Sequence, residues 1–222
     1  SNFPPIMDDV FSYSATARYV NAGYVSYECY QNVLNVIHAS EISAEQKISL
    51  QLVVIIAYRA GLRIGEIIKL RLADIEESSI RTIFVVNNHL GNNKSRSARR
   101  KIPLKFLMDK KELELFNSWF AKRAREVNGF DHPLFNSKLD LRVPINARTV
   151  SAYINTIMRE LYPSLELTFH HFRHSCLSNM QWLVEGELET YSALVGVDKA
   201  HSKMTFEAIL GSEKYTIDRY LA

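Results

Sequence analysis

The sequence YRAGLRIGEIIKL, residues 58–70, joins two predicted helices. Gly61 interrupts the first helix, and the spacing of the apolar residues predicts a second helix from Arg63 to Leu72. Arg63 then stands at a helix N-terminus, where its guanidinium can offer a bidentate fork to a phosphate. Glu66 lies one helical turn later and can support Arg63. An isolated Arg-x-x-Glu pair is more often a surface ion pair, so this interpretation needs support from elsewhere in the chain.

A second informative stretch is TFHHFRHS, residues 168–175. His170 and Arg173 have the spacing that places two side chains on one face of a helix. His171 and His174 share this spacing, which raises the alternative of a metal site. However, no cysteine or acidic residue lies nearby at ligand spacing, so we expect no metal here. The other alternative for each histidine is a partly buried, hydrogen-bonded ring without a chemical role.

The third stretch is the basic run KSRSARRKIPL, residues 94–104. Lys94 on the tip of a hairpin is a candidate proton donor to a leaving oxygen, because an ammonium group titrates when it is partly desolvated. Arg96, Arg99 and Arg100 are predicted to contact DNA phosphates. The alternative is a solvated basic hairpin without a binding role.

The hydrophobic pattern of the whole chain predicts a mainly α fold with a small antiparallel β-sheet, an α+β class. Residues 80–86 and 99–104 are predicted to form the sheet, with the basic run at its tip. Ser43, Asn146 and Thr168 are predicted N-caps. Predicted helices span residues 24–38, 43–58, 63–72, 104–127, 146–161 and 168–183, followed by a helical tail with breaks near Gly196 and Gly211-Ser212.

The bulk composition narrows the class of protein. The chain has 222 residues, a net charge of +3 and two cysteines, so we expect one sizeable domain without a disulfide framework. No apolar run is long enough to span a membrane. The polar, proline-rich start does not resemble a signal peptide, and we therefore expect a cytoplasmic protein. The modest net charge permits nucleic-acid binding without arguing for it.

Taken together, the three stretches resemble the conserved boxes of the tyrosine recombinases, the phage integrase family. GLRIGEIIKL resembles the first arginine box, KSRSARRKIPL the lysine-bearing β-hairpin, and HHFRHS the His-x-x-Arg-His box. Their order and separations also match, over residues from about 40 to 180. The resemblance implies a tyrosine-recombinase catalytic domain at residues 41–222, complete or truncated at its C-terminus. Residues 1–40 are then an N-terminal flanking segment or linker with one helix.

The resemblance also implies a mechanism without a cofactor. A tyrosine attacks a DNA phosphodiester to give a 3′-phosphotyrosyl bond and a free 5′-hydroxyl, and another 5′-hydroxyl rejoins the strand. Arg63 and Arg173 are expected to stabilise negative charge on the nonbridging oxygens. Lys94 is expected to protonate the leaving 5′-oxygen, and His170 to assist proton transfer.

Further expectations concern supporting residues and partners. By the same resemblance, Glu66 and His174 hold the site in shape. Double-stranded DNA is the expected partner, and the full-length protein is expected to self-associate on DNA as a tetramer in a synapse. The family usually places a helical DNA-clamping domain before the catalytic one, and residues 1–40 are too short for it. The expected setting is a prokaryotic cytoplasm, at the nucleoid, in the recombination or integration of a mobile element.

The tail departs from the family pattern of Leu-Gly-His followed by a tyrosine. At the expected place the chain has Leu194-Val-Gly-Val197, with Phe206 where the tyrosine belongs. A later Leu210-Gly-Ser212 precedes Tyr220 at nearly the right distance, with serine in place of histidine. Two interpretations stay open: Tyr220 is the nucleophile after an insertion, or the His/Tyr box lies beyond Ala222.

Other functions also remain open at this point. A type IB topoisomerase shares the chemistry but usually sets its boxes in a different context. The irregular tail favours a catalytically silent DNA-binding relative. A plain helical interaction module would leave the three ordered boxes as a coincidence.

Overall fold

The computed structural model describes residues 23–91 and 99–210, in which helices surround a core beside one small sheet. The predicted class, mainly α with a small antiparallel sheet, is confirmed. Among the described residues, no helix is both long and apolar enough to cross a membrane. The elements, in chain order, are α1 (Tyr27–Ala39), α2 (Ala44–Ala60), α3 (Ile64–Ile68), β1 (Ile75–Glu76), β2 (Thr82–Val85), β3 (Arg100–Pro103), α4 (Leu104–Leu107), α5 (Lys110–Glu126), α6 (Ala147–Leu161), α7 (His170–Val184), α8 (Leu188–Val195) and α9 (Lys199–Leu210).

Helix α2 is the centre of the core. Residues 52–60 are all buried, and the helix contacts α1, α5 and α7. A helix that is apolar on every side is stable only when other elements cover it on every side. The predicted capping box at Ser43 is confirmed, since its hydroxyl accepts the backbone N–H of Gln46. At the other end Gly61, with φ +61°, closes the helix in the left-handed conformation that glycine adopts without strain.

Helix α1 lies in the segment predicted as a flanking region, and it packs into this same core. The ring of Tyr30 is fully buried and stacks on Tyr58 of α2, with 4.1 Å between ring centroids. Its hydroxyl donates to the Glu112 carboxylate at 2.6 Å, and that carboxylate also accepts Arg59 Nε at 2.9 Å. The buried cluster joins α1, α2 and α5, so α1 is part of the folded unit that carries the arginine box.

The sheet has the order β1-β2-β3 and is antiparallel throughout. The two predicted strands are confirmed, and β3 ends at Pro103 as expected. Strand β1 was not predicted, because two residues are too few to show an alternating pattern. Arg100 pairs with Val85 at the end of the ladder nearest the hairpin tip. Residues 92–98 of that tip lie outside the described residues.

Two predicted helices are shorter or divided in the structure. The helix predicted from Arg63 to Leu72 ends at Ile68, because the following backbone bonds to a distant loop: Leu72 N–H donates to His132 O at 3.0 Å. The helix predicted over residues 104–127 is two helices. Asp109 divides them by capping α5, its carboxylate accepting Glu112 N–H at 2.9 Å.

Of the N-caps predicted for α6 and α7, only the first is found in the structure. Asn146 caps α6 as predicted, since its side-chain oxygen accepts Thr149 N–H at 3.1 Å. The prediction that Thr168 caps α7 is wrong, because α7 has no side-chain cap bond at its N-terminus. Instead the Thr168 backbone N–H donates to Nδ1 of His171 at 2.8 Å. The helix start is thus held by an imidazole that reaches back, and this turns His171 inward.

Candidate functional site

Arg63 lies immediately before helix α3 and two residues after the left-handed turn at Gly61. Glu66 accepts the backbone N–H of Arg63 at 2.9 Å, and its Oε1 lies 3.4 Å from Arg63 Nη1. The predicted support of Arg63 by Glu66 is therefore present as a contact. The Arg63 side chain is still 35% exposed, whereas that of Glu66 is 7% exposed. The Arg63 guanidinium is thus held by the Glu66 carboxylate and remains accessible to a ligand.

Arg100 of strand β3 reaches the same carboxylate. Its Nη2 lies 2.8 Å from Oε2 of Glu66 and its Nη1 lies 3.3 Å from Oε1. Burial alone would raise the pKa of Glu66, but hydrogen bonds and charge from Arg100 and Arg63 outweigh it and lower that pKa below its ordinary value. One buried carboxylate thus serves two guanidiniums, and the group retains a net positive charge.

Arg173 comes to the site from helix α7. The residue is 7% exposed, and its Nη1 donates a hydrogen bond to the carbonyl of Gly61. Burial, followed by the positive charges of Arg63 and Arg100, lowers the pKa of Arg173. An arginine nevertheless stays protonated in a protein. Arg173 is therefore a fixed cation in a field that is already positive, an arrangement that an anion stabilises.

His170 and His174 lie side by side on α7, with their rings perpendicular and 4.5 Å between centroids. Burial, followed by the charges of His174 and Arg173, lowers the pKa of His170. His170 is therefore neutral near pH 7 and able to accept a proton. His171 is buried, its Nδ1 accepts the Thr168 N–H, and its ring centroid lies 6.0 Å from that of His174. Nowhere in residues 23–91 and 99–210 do three His, Cys, Asp or Glu side chains group as metal ligands.

Four of the predicted residues, Arg63, Glu66, His170 and Arg173, share one cleft of about 570 Å³. Asn155 of α6 also lines it and was not predicted; its side-chain oxygen accepts Phe169 N–H at 2.7 Å across 14 positions, a pairing without a local sequence signal. The whole lining consists of Leu62, Arg63, Ile64, Gly65, Glu66, Lys69, Ser151, Asn155, Thr168, Phe169, His170 and Arg173. Lys69 stands three positions after Glu66, and that spacing was a signal that sequence reasoning passed over.

The remaining predicted residues divide into two groups. Arg99 is exposed beside the buried Arg100 side chain. Lys94, Arg96 and Tyr220 lie outside the described residues, and their roles stay predictions. Phe206, where the resemblance places the family's tyrosine, is half-buried on α9 and packs against the core.

Comparison with known proteins agrees with this fold. A model of the phage integrase family matches residues 30–183. No curated protein sequence gives a significant match. The solved structure of XerA recombinase is 17% identical, with a TM-score of 0.52 over 82% of this chain and 58% of that one. XerH recombinase on a palindromic difH substrate, in a post-cleavage complex, is 17% identical, with a TM-score of 0.56 over 88% of this chain and 52% of that one.

A transposon enzyme has the same fold. The Tn1549 transposon integrase in complex with transposon right end DNA is 18% identical, with a TM-score of 0.52 over 83% of this chain and 61% of that one. This chain therefore spans between 52% and 61% of the length of these three proteins. The likeness to solved structures shows the fold, and the family model covers more than half of the chain. The chain belongs to the phage integrase family.

Proposed function

We propose that this chain carries the catalytic chemistry of a site-specific DNA recombinase or integrase, which cleaves and rejoins strands through a covalent 3′-phosphotyrosyl intermediate. The observation that carries the proposal is the convergence of Arg63, Arg173 and His170, from two parts of the chain, on one cleft. The Arg63 guanidinium lies 3.4 Å from a carboxylate oxygen of Glu66, and the Arg173 guanidinium donates to the Gly61 carbonyl. Such a cleft suits a single phosphodiester anion.

The two arginines are suited to stabilise the transition state. Attack on a phosphodiester gathers negative charge on the nonbridging oxygens, and donors already aimed there cost no reorganisation during the reaction. Glu66 orients Arg63 through its backbone N–H, and the Gly61 carbonyl orients Arg173. Removing one such preorganised donor typically costs about 100- to 1000-fold in rate.

Proton transfer falls to His170 and Lys94 in this proposal. A tyrosine phenol, with an ordinary pKa of about 10, is a poor nucleophile at neutral pH. His170, kept neutral by its surroundings, can accept that proton or relay it to water. Lys94 protonates the leaving 5′-oxygen, an assignment that rests on the sequence. The covalent bond to tyrosine conserves the energy of the broken bond for rejoining.

The proposed partner is double-stranded DNA, bound by the full-length protein as a tetramer in a synapse. Solved relatives with the same fold, XerH and the Tn1549 integrase, are seen bound to DNA. We place the reaction in a prokaryotic cytoplasm, at the nucleoid, in the recombination of a mobile element.

A catalytically silent DNA-binding relative is the second candidate. The observation that favours it is Phe206, which packs into the core at the position of the family's tyrosine. Val197 likewise stands where the family has histidine. A silent relative binds DNA through the same basic residues and forms no bond with it.

Covalent trapping separates these candidates. The full-length protein is incubated with a nicked suicide duplex that contains its crossover site, and the products are resolved on a denaturing gel. A recombinase gives a protein–DNA adduct, whereas a silent relative gives only a complex that dissociates on denaturation. A topoisomerase gives adducts without a defined site and relaxes supercoiled plasmid.

A further inference from the structure

Arg100 has a buried partner that its place in a basic run does not suggest. We infer that Arg100 is a positioning residue: it fixes Glu66, and through it Arg63, and it joins strand β3 to the arginine box. The inference rests on the proposed function for its catalytic consequence. It assigns Arg100 a different role from its exposed neighbour Arg99.

Burial separates the two neighbouring arginines. The Arg100 side chain is 8% exposed and the carboxylate that it meets is 7% exposed, whereas Arg99 is exposed to solvent. Lys101, the next residue, is also exposed and lies with its ammonium 5.1 Å from the ring centroid of Phe84. Since successive residues of a strand point to opposite faces, Arg100 is the inward residue of this run. Arg99 is open to a phosphate, whereas the Arg100 side chain is buried and both of its terminal nitrogens already meet Glu66.

The hydrogen bonds show what Arg100 holds. Two of its nitrogens meet the two carboxylate oxygens of Glu66, at 2.8 and 3.3 Å, which is the fork geometry that fixes a carboxylate in both position and rotation. The same two oxygens face Arg63, one accepting its backbone N–H at 2.9 Å and the other lying 3.4 Å from Nη1. Any rotation of the carboxylate away from Arg100 therefore disturbs Arg63.

Charge strengthens this dependence. Glu66 is buried, and burial is the largest influence on its pKa and acts to raise it; hydrogen bonding and charge from Arg100 lead the opposing effects. Without Arg100 the pKa of the Glu66 carboxyl would be higher. Its hydrogen bond with the Arg63 backbone N–H would then be weaker. Arg63 alone would offset the effect of burial on the Glu66 pKa less than both arginines do, because its side chain is partly exposed.

The position of Arg100 in strand β3 provides the second consequence. Arg100 is the first residue of strand β3 and pairs with Val85 in the ladder. The ion pair with Glu66 spans 34 positions of the sequence and joins strand β3 to helix α3. Strand β3 is thereby held beside the Arg63 guanidinium, which is proposed to bind the scissile phosphate.

The first test separates positioning from DNA contact and does not need cleavage. Binding of this chain to a DNA duplex is measured over a range of salt concentrations for wild type, Arg100→Gln, Arg99→Gln and the distant exposed control Lys111→Gln. Loss of one phosphate contact lowers the log–log slope by about 0.9. We expect that decrease for Arg99→Gln and no decrease for Arg100→Gln beyond that of Lys111→Gln. A decrease of about 0.9 for Arg100→Gln would overturn the inference.

The second test measures the consequence for chemistry. In the full-length protein with saturating suicide DNA, we expect Arg100→Gln to slow single-turnover cleavage roughly tenfold or more. Because Arg100 acts through Glu66, the double variant Glu66→Gln/Arg100→Gln should be no slower than Glu66→Gln alone. Multiplied defects, or unimpaired cleavage by Arg100→Gln, would overturn the inference. If Arg100→Gln does not fold, Arg100→Lys, which keeps the charge and loses the fork, replaces it with the same criteria. Failure of wild type to form an adduct rejects the proposed function, and the salt measurement still decides the role of Arg100.

Discussion

Arg173 donates a hydrogen bond to the carbonyl oxygen of Gly61, the residue that closes helix α2. Gly61 stands two residues before Arg63, so one backbone turn both releases Arg63 into the cleft and fixes the second arginine beside it. The carbonyl is available because a helix leaves its last carbonyl groups without partners inside the helix. The relative placement of the two guanidiniums therefore depends on the geometry of this turn.

Substituting Gly61 by alanine should destabilise the fold. Gly61 has φ +61°, and an added Cβ would lie 3.2 Å from Sγ of Cys176. We expect Gly61→Ala to lower the free energy of unfolding by about 1–2 kcal/mol, measured by denaturant titration. The matched control is Gly65→Ala, in helix α3, where no atom lies within 4 Å of the added Cβ. That variant should gain up to about 1 kcal/mol, and equal effects of the two substitutions would contradict this account.

Replacing Arg173 by lysine should remove strand cleavage while leaving the fold intact. Lysine keeps a positive charge but has no planar fork, so it cannot bond the Gly61 carbonyl and a phosphate with the same geometry. We expect cleavage of a suicide substrate to fall about 100-fold or more. Melting temperature and near-ultraviolet circular dichroism serve as controls for folding. Cleavage close to the wild-type rate would remove Arg173 from the proposed site.

The rate of strand cleavage should fall at acidic pH, at a value set by the pKa of His170. Its pKa is lowered by burial and then by the charge of His174, so the ring stays neutral to a lower pH than a histidine with the ordinary pKa of 6.5. His174→Ala removes both part of the burial and the neighbouring charge, and the His170 pKa should rise. The ring is then protonated at a higher pH, and the acid limb of the rate profile should move to a higher pH.

The measurement pairs single-turnover rates across pH with an NMR titration of the His170 ring. His38→Ala, which removes an exposed histidine at the end of α1, is the control and should shift neither curve. If the NMR pKa rises in His174→Ala while the rate profile stays in place, His170 is not the group that limits cleavage.

Local sequence signals predicted those parts of the structure that depend on neighbouring residues. The capping residues Ser43 and Asn146, the turn at Gly61 and the Arg63–Glu66 contact all follow from spacings within one helical turn. Convergence of the arginine and histidine boxes on one cleft could be expected only from the resemblance of three ordered boxes, because composition says nothing about long-range contacts.

The features that were missed depend on partners that are distant in the chain. Helix α3 stops at Ile68 because the backbone after it bonds to a loop some 60 positions away, as Leu72 does with His132. Arg100 looks like any other residue of a basic run until the fold brings it to Glu66, 34 positions earlier. Thr168 matches a capping residue by type, but no side chain caps the helix, and the Thr168 backbone N–H donates to the imidazole of His171. Nothing local distinguishes these cases.

Lys94 should be needed only when the leaving group requires a proton. In the full-length enzyme, Lys94→Ala should cleave a normal phosphodiester slowly, because the departing 5′-alkoxide is a poor leaving group without a proton donor. A substrate with sulfur at the 5′-bridging position should restore the rate, since a thiolate departs without a proton. The wild-type enzyme on both substrates is the reference. Equal defects on the two substrates would mean that Lys94 only binds DNA.

The nucleophile is the part of the site where the chain departs most from its family. Phe206 is half-buried against the core and has no hydroxyl, so the family position on α9 cannot attack a phosphate. In the same region, His201 Nε2 lies 3.0 Å from the carbonyl oxygen of Phe106, which helps to hold α9 against α4. Under the proposed function, we therefore look for the attacking tyrosine among the residues that follow α9.

Tyr220 is the candidate within this chain, and its hydroxyl must lie in line with the phosphate held by Arg63 and Arg173. The full-length protein is trapped on a nicked suicide duplex, digested with protease, and the DNA-linked peptide is sequenced by mass spectrometry. We expect the adduct on Tyr220, and Tyr220→Phe should abolish it while leaving DNA affinity unchanged. Phe206→Tyr is the matched control and should gain no adduct, because its ring packs against the core. An adduct on a tyrosine beyond Ala222 would reject Tyr220 and keep the recombinase chemistry, whereas no adduct on the cognate site would favour the silent relative.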